Sequence, residues 1–179
     1  MVYIALLRGI NVSGQKIIKM TDLKALCETL GYTDVQTYIQ SGNIVFRSSP
    51  TTTTLLKEQL QNAIKEKFGF DVPICLYTLT DFTAILQQNT LYAQEKENQL
   101  YLTYLNEGAD FTLQADIESK MNEGDQLIFT PQAVYIYVPQ GYGKTKLTNT
   151  FIETKLKTEA TTRNWKTSNK LVEIGQQLL

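Results

Sequence analysis

Thr37-Tyr38-Ile39-Gln40-Ser41-Gly42-Asn43-Ile44-Val45-Phe46 decides how the first half of this chain folds. Apolar and β-branched residues fill both arms. The residues between them have the short polar and glycine chemistry of a tight turn. The stretch reads as a β-hairpin, with strands over 35–39 and 43–47. Working outward, 2–7 is an apolar strand and 11–19 a polar loop. Thr21 is the expected N-cap of a helix, with Asp22 favoured in its first turn. Leu23, Leu26, Cys27 and Leu30 follow at helical spacing, and Gly31 ends the run. Beyond the hairpin, 51–54 leads into a longer helix that places Leu56, Leu60, Ala63, Ile64 and Phe68 on one face, closed by Gly69. An apolar strand over 72–79 completes the order βαββαβ, that of a ferredoxin-like unit.

The second half repeats the order loosely. Thr80 is the expected cap of a helix carrying Phe82, Ile85 and Leu86, and the polar run 91–99 separates the halves. A strand over 100–105, a weaker helix over 111–121 and a hairpin across Pro131-Gln132 follow. Helices are expected over 148–156 and 165–178. This is βαββα with a final helix where a last strand would stand. The expected fold is α+β, with two ferredoxin-like halves over 1–79 and 80–179 dividing within 80–99. The likeness between halves lies in element order, with little residue identity.

Composition narrows the chemistry. The chain has 179 residues, enough for one compact domain or two small halves. Lys plus Arg (17) nearly balances Asp plus Glu (18), so no whole-molecule field favours nucleic acid or anionic membranes. There is no histidine, which removes His-based triads, His-bearing metal sites and the usual general base near neutral pH. Cys27 and Cys75 are too few for a Cys-only zinc site and sit in apolar settings, where thiols are inert. No metal or cofactor is called for. No apolar run approaches the roughly 20 residues that span a bilayer, and the opening residues do not read as a signal peptide. The expected compartment is the cytoplasm, with no membrane partner.

Four segments have more polar chemistry than connectors need. In Leu6-Leu7-Arg8-Gly9-Ile10-Asn11-Val12-Ser13-Gly14 a strand ends in a cation and a glycine-bearing loop follows, a setting that suits phosphate or carboxylate. The plainer reading, favoured for this segment alone, pairs Arg8 with an acid and leaves the glycines to make turns. In the hairpin, Gln40, Ser41 and Asn43 offer neutral donors and acceptors, or simply bond their own backbone. Gly141-Tyr142-Gly143-Lys144-Thr145-Lys146-Leu147 stands between a strand and a helix, but Val138 occupies the position where a Walker A loop requires glycine. A nucleotide triphosphatase is therefore rejected; an anion site at the helix start, or a surface loop, remains. Ala160-Thr161-Thr162-Arg163-Asn164-Trp165 carries the sole tryptophan, for which a core position is the better reading. Thr162 or Asn164 is then a helix cap.

RNA binding competes because βαββαβ is also the order of the RNA recognition motif. Gly42-Asn43-Ile44-Val45-Phe46 lacks the aromatic pair of that motif's third strand, and the charge is near neutral. RNA binding ranks below a small-molecule site.

Taken in order, these segments resemble the bacterial domain-of-unknown-function family numbered 1697. The matching pieces are Tyr3-Ile4-Ala5-Leu6-Leu7-Arg8-Gly9-Ile10-Asn11-Val12, Thr37-Tyr38-Ile39-Gln40-Ser41-Gly42-Asn43, Gly141-Tyr142, Thr145-Lys146-Leu147, Asn149 and Ala160-Thr161-Thr162-Arg163-Asn164-Trp165. The resemblance spans almost the full length; Ser13 stands where the family usually has glycine. It implies a two-part α+β fold, supplies no catalytic residue, and favours Lys146 over Lys144 as the lysine of the third segment. The expectation drawn from the polar, cation-bearing segments of both halves is an anionic small ligand, phosphorylated compounds among the candidates, held in a cleft between the halves. Arg8, Lys146 and Arg163 would supply charge. Asn11, Gln40, Ser41, Asn43, Asn149 and Asn164 would orient the ligand beside Trp165. A single-stranded RNA module and a non-catalytic interaction protein are the alternatives. Whether any reaction is catalysed, and the oligomeric state, are left open.

Overall fold

The computed structural model describes residues 1–92 and 94–179, and of residues 94–96 the backbone alone. The expected polar boundary at 91–99 includes Ala93, which lies outside the described residues. The fold is α+β, with two four-stranded antiparallel sheets. The chain divides into one unit made of Met1–Ala84 with Lys170–Leu179, and a second made of Ile85–Asn169.

The first unit contains β1 (Val2–Leu7), α1 (Met20–Thr29), β2 (Thr33–Tyr38), β3 (Asn43–Arg47), α2 (Thr53–Phe68) and β4 (Ile74–Thr78), followed by the start of α3 (Leu79–Gln87). The sheet order is β2-β3-β1-β4. Ala5 of β1 stands opposite both Ile44 of β3 and Leu76 of β4. All six residues of β1 are buried, so this central strand is covered on both faces. On one face Tyr3, Ala5, Leu7, Ile44 and Phe46 pack with Leu23 and Cys27 of α1 and Leu56, Leu60 and Ile64 of α2. On the other, Phe82 of α3 packs against Tyr77 of β4.

Two helix starts differ from the sequence expectation. In α1 the N-cap position falls on Lys19, without a side-chain cap, and Thr21 lies inside the first turn. In α3 the cap is Thr78, whose Oγ1 accepts from the Asp81 amide at 3.1 Å, so Thr80 lies within the helix. In both places a threonine inside the first turn resembles a cap in sequence, because the backbone turns in earlier than the apolar spacing shows.

The second unit contains β5 (Leu100–Leu105), α4 (Gln114–Glu118), β6 (Gln126–Phe129), β7 (Ala133–Tyr137), α5 (Asn149–Leu156), β8 (Ala160–Asn164) and the start of α6 (Trp165–Gln176). Its sheet order is β6-β7-β5-β8. Leu105, Val134, Ile136, Ile152, Leu156 and Ala160 belong to its main core. On the opposite face the Tyr104 hydroxyl donates to Ser168 Oγ at 2.8 Å, and the Tyr135 hydroxyl donates to the Ile85 carbonyl at 2.6 Å.

One sequence expectation is corrected here. Residues 160–164 form the last strand, β8, antiparallel to β5, and are not a link between helices. Ala-Thr-Thr-Arg-Asn lacks an apolar alternation, because at this sheet edge Thr161 and Arg163 are buried as polar groups. β-Branched threonine still suits the pleated backbone. The expected weak helix over 111–121 is a short 3-10 turn, Phe111–Leu113, continued by α4.

Candidate functional site

In the first unit, one side chain ties two of the polar segments together. Asn11 Nδ2 donates to the Ile18 carbonyl at 2.9 Å and to the Gln40 carbonyl at 2.8 Å. Asn11 Oδ1 accepts from the Ile18 amide at 2.9 Å. The carboxamide thus closes its own loop and pins it to the hairpin turn. Asn43 is fully buried and does a parallel job, its Nδ2 donating to the Tyr38 carbonyl at 2.9 Å and to Ser41 Oγ at 3.0 Å. Asn11, Gln40, Ser41 and Asn43 are therefore brought together, with the amide hydrogens of both asparagines spent on the protein's own acceptors. The Gln40 side chain is exposed, and Ser41 is half-buried.

Arg8 follows β1 directly. Its amide donates to the Pro73 carbonyl at 2.9 Å, which carries the sheet pairing one step past the strand. Over the next eight residues the backbone is unusual. Gly9, Asn11, Ser13, Gly14 and Lys16 all have φ between 46° and 74°. Across the bound turn, Ile39 has φ 51°. A β-branched residue in that region is strained, by about 1–3 kcal/mol.

The two later segments meet in the second unit. Asn149, at the start of α5, donates from Nδ2 to the Ala160 carbonyl at 3.0 Å and accepts from Thr162 Oγ1 at 2.9 Å. Thr162 Oγ1 lies 2.8 Å from Thr103 Oγ1 on the neighbouring strand. The Tyr142 hydroxyl is buried; burial raises its pKa, against the opposing pull of Thr162 and the Asn149 backbone. Arg163 is only 8% exposed, and its Nη1 donates to Thr161 Oγ1 at 2.8 Å and to the Thr162 carbonyl at 2.9 Å. Asn164 Oδ1 accepts from the Thr167 amide at 2.7 Å, so it caps α6. Trp165 is buried and stacks on Tyr92 with ring centroids 5.1 Å apart. Lys146 is exposed on the loop before Thr148, as is Lys144.

The structure therefore joins the four segments in pairs, Asn11 to Gln40 in one unit and Asn149 to Thr162 in the other. Sequence reasoning missed Thr103, which carries no signal inside an ordinary strand, and the strained Ile39. It gave Thr162 no role as a partner of Asn149. The cysteines are buried, and desolvation, assisted by Glu28, pushes the Cys27 thiol up to about 12. Such a thiol stays protonated and inert. Among the described residues, no three His, Cys, Asp or Glu side chains converge as a metal site would need. Among the same residues, no helix is long and apolar enough to cross a membrane.

These features define a two-unit α+β protein whose polar segments are braced in pairs at strand and helix ends. The chain belongs to the family described as protein of unknown function DUF1697, whose model matches residues 1–135. It is similar in structure to a conserved bacterial protein, SP0830 from Streptococcus pneumoniae, with a TM-score of 0.78 and 27% identity over 97% of both chains. No curated protein matches the chain.

Proposed function

We propose that this chain binds a small anionic ligand, with phosphorylated metabolites the first class to test, and that Arg8 and the loop after it form the core of the site. The run of left-handed residues from Gly9 to Lys16 is the observation that supports this reading. Backbone that mixes left-handed and ordinary residues can turn N–H groups into one concavity, a common anion cradle. The Asn11 and Gln15 amides donate to the Lys16 and Val12 carbonyls, so ligand contacts would come from the other amides of the loop. The loop is held in that form by Asn11, so little ordering entropy remains to oppose binding. Arg8 adds a guanidinium, suited to the paired oxygens of phosphate or carboxylate. On this reading Asn11 and Asn43 shape the cradle, and Gln40 and Ser41 reach the ligand.

The RNA alternative has less support. A recognition motif stacks bases on an open sheet face. Here the central strand β1 is buried throughout, and all of β5 except half-buried Tyr101 is buried as well.

The test is thermal unfolding of the full chain against inorganic phosphate, sulfate and a panel of phosphorylated metabolites. A ligand at 100 times its Kd stabilises by about 2.7 kcal/mol, which corresponds to a rise of roughly 5–10 °C for a chain of this size. The rise is expected to vanish in Arg8→Ala. Loss of the same response in Arg163→Ala extends the ligand's contacts to the polar segments of the second unit, and an unchanged response confines the site to the first. A flat profile across the panel would end the proposal.

A further inference from the structure

The same two loops carry an apolar feature that a small-anion site does not use. Val12 is 59% exposed, Ile17 58% and Ile39 50%. Single exposed aliphatic residues are ordinary on a protein surface; a group of them on one fixed structure is not. These three lie on segments that the Asn11 carboxamide binds together through the carbonyls of Ile18 and Gln40, each the chain neighbour of an exposed isoleucine. The loop tip is closed again by the bridge between Val12 and Gln15. Ile39 adds a second oddity. Its backbone is strained at φ 51°, yet half of the side chain lies in water, so burial does little to offset the strain.

The loops themselves carry only cations, with the exposed Asp22 and Asp71 carboxylates beside them. From Met1 to Thr21 the cations are Arg8, Lys16 and Lys19, with no carboxylate, and residues 35–46 carry no charge. Lys16 Nζ rests on the Asp71 main-chain carbonyl at 2.6 Å, while the Asp71 carboxylate is held by Lys65 at 3.0 Å. The loop that carries Val12 and Ile17 thus presents the ammonium groups of Lys16 and Lys19, in a protein whose overall net charge is −1.

We infer that the tips of the 11–18 loop and the 39–42 turn form a docking surface for an acidic protein segment, one in which Asp or Glu residues flank aliphatic or aromatic side chains. The apolar residues of such a segment would cover Val12, Ile17 and Ile39, and its carboxylates would meet Lys16 and Lys19. The rigid loops fit this role, because a prefixed surface loses little entropy when a flexible segment settles on it. An anionic lipid surface offers some of the same chemistry, but the near-neutral whole-molecule charge gives no long-range attraction to a membrane. The surface stands whether or not the same loop also cradles a small anion.

The experiment selects a displayed random-peptide library on the full chain and measures synthetic copies of the enriched peptides by fluorescence anisotropy. Enrichment of peptides that combine carboxylates with apolar residues is expected, with binding that weakens as salt rises. Affinity should fall by about tenfold or more in Val12→Ser/Ile17→Ser, as expected when central apolar anchors are lost. A similar fall is expected in Lys16→Glu/Lys19→Glu, which keeps the apolar residues and guards against a folding artefact in the first variant. Val12→Ser/Ile17→Ser should retain the wild-type melting temperature, since both side chains are exposed. Lys16→Glu/Lys19→Glu should stay folded at the temperature of the measurement, since the bond it gives up, from Lys16 to the Asp71 carbonyl, is exposed. Selection without acidic–apolar bias, or peptides that bind both variants as well as wild type, overturns the proposal. So does co-sedimentation of the wild-type chain with phosphatidylglycerol vesicles, lost in the same variants, which would assign the surface to lipid.

Discussion

A Cβ placed on Gly42 would stand 2.7 Å from both Ile10 Cδ1 and Leu7 Cβ, on a backbone with φ 76°. Neither neighbour is a freely moving tip: Ile10 and Leu7 are buried, and the Gly42 carbonyl accepts the Leu7 amide at 2.8 Å. Gly42→Ala is therefore expected to lose about 2–4 kcal/mol, the sum of overpacking and left-handed strain. Urea unfolding followed by circular dichroism measures it, and a loss under about 0.5 kcal/mol, the scale of a neutral surface change, would refute this packing. The sequence marked Ser41-Gly42 as a turn, which is the local half of the matter. That Ile10 closes over it was not legible, because the approach depends on Asn11 binding the Gln40 carbonyl from 29 positions away. The bland reading of the hairpin, side chains satisfying their own backbone, describes Asn43 well. For Asn11 the backbone it satisfies belongs partly to another segment.

At the scale of elements, what could be read followed from apolar spacing. The strands around the first hairpin are apolar, β-branched runs bounded by a turn, the inward face of α2 carries a period of 3.6, and the structure forms β3 and α2 there. β8 carried no period, since its buried positions are threonine and arginine. Its place is fixed by Thr162, which reaches Thr103 on one side and Asn149 on the other. The start of α5 was legible for a different reason. Thr148 precedes a helical run, and its Oγ1 accepts from the Phe151 amide at 3.3 Å. Thr148→Ala is expected to cost about 1 kcal/mol, read as a matching drop in the urea midpoint. Thr148→Asp should recover most of it, because a carboxylate caps the helix and complements its dipole. If Asp fares no better than Ala, the hydroxyl does not act as a cap. The pair also tests the third polar segment: a change in anion response in Thr148→Asp, with stability restored, would place a ligand near this helix start.

For the whole molecule, the division between units falls inside α3 and inside α6, so both helices contribute residues to each. Sequence alone sets off the last helix by its apolar spacing, but local spacing cannot say which core a helix end joins. The residues from Lys170 onward belong with the first unit, although they follow the second in the chain. Leu171 and Ile174 are buried there, and Gly175 lets α6 approach Leu79, where an added Cβ would stand 2.6 Å from Leu79 Cδ1. A chain ending at Asn169 therefore removes the two buried side chains and uncovers Leu79, while residues 1–84 stay intact. At about 1.5–3 kcal/mol for each buried aliphatic side chain, the first unit should lose roughly 3–6 kcal/mol. Hydrogen exchange of the β1 amides reads this directly, since a central strand opens only with the unit that contains it. Exchange there should quicken strongly in the shortened chain and more weakly at β5 and β7. A control ending at Gln176 removes no buried residue, for Leu179 is 84% exposed, and should leave β1 protected as before. Equal protection of β1 in the chain ending at Asn169 would mean that the C-terminal end of α6 does not belong to the first core.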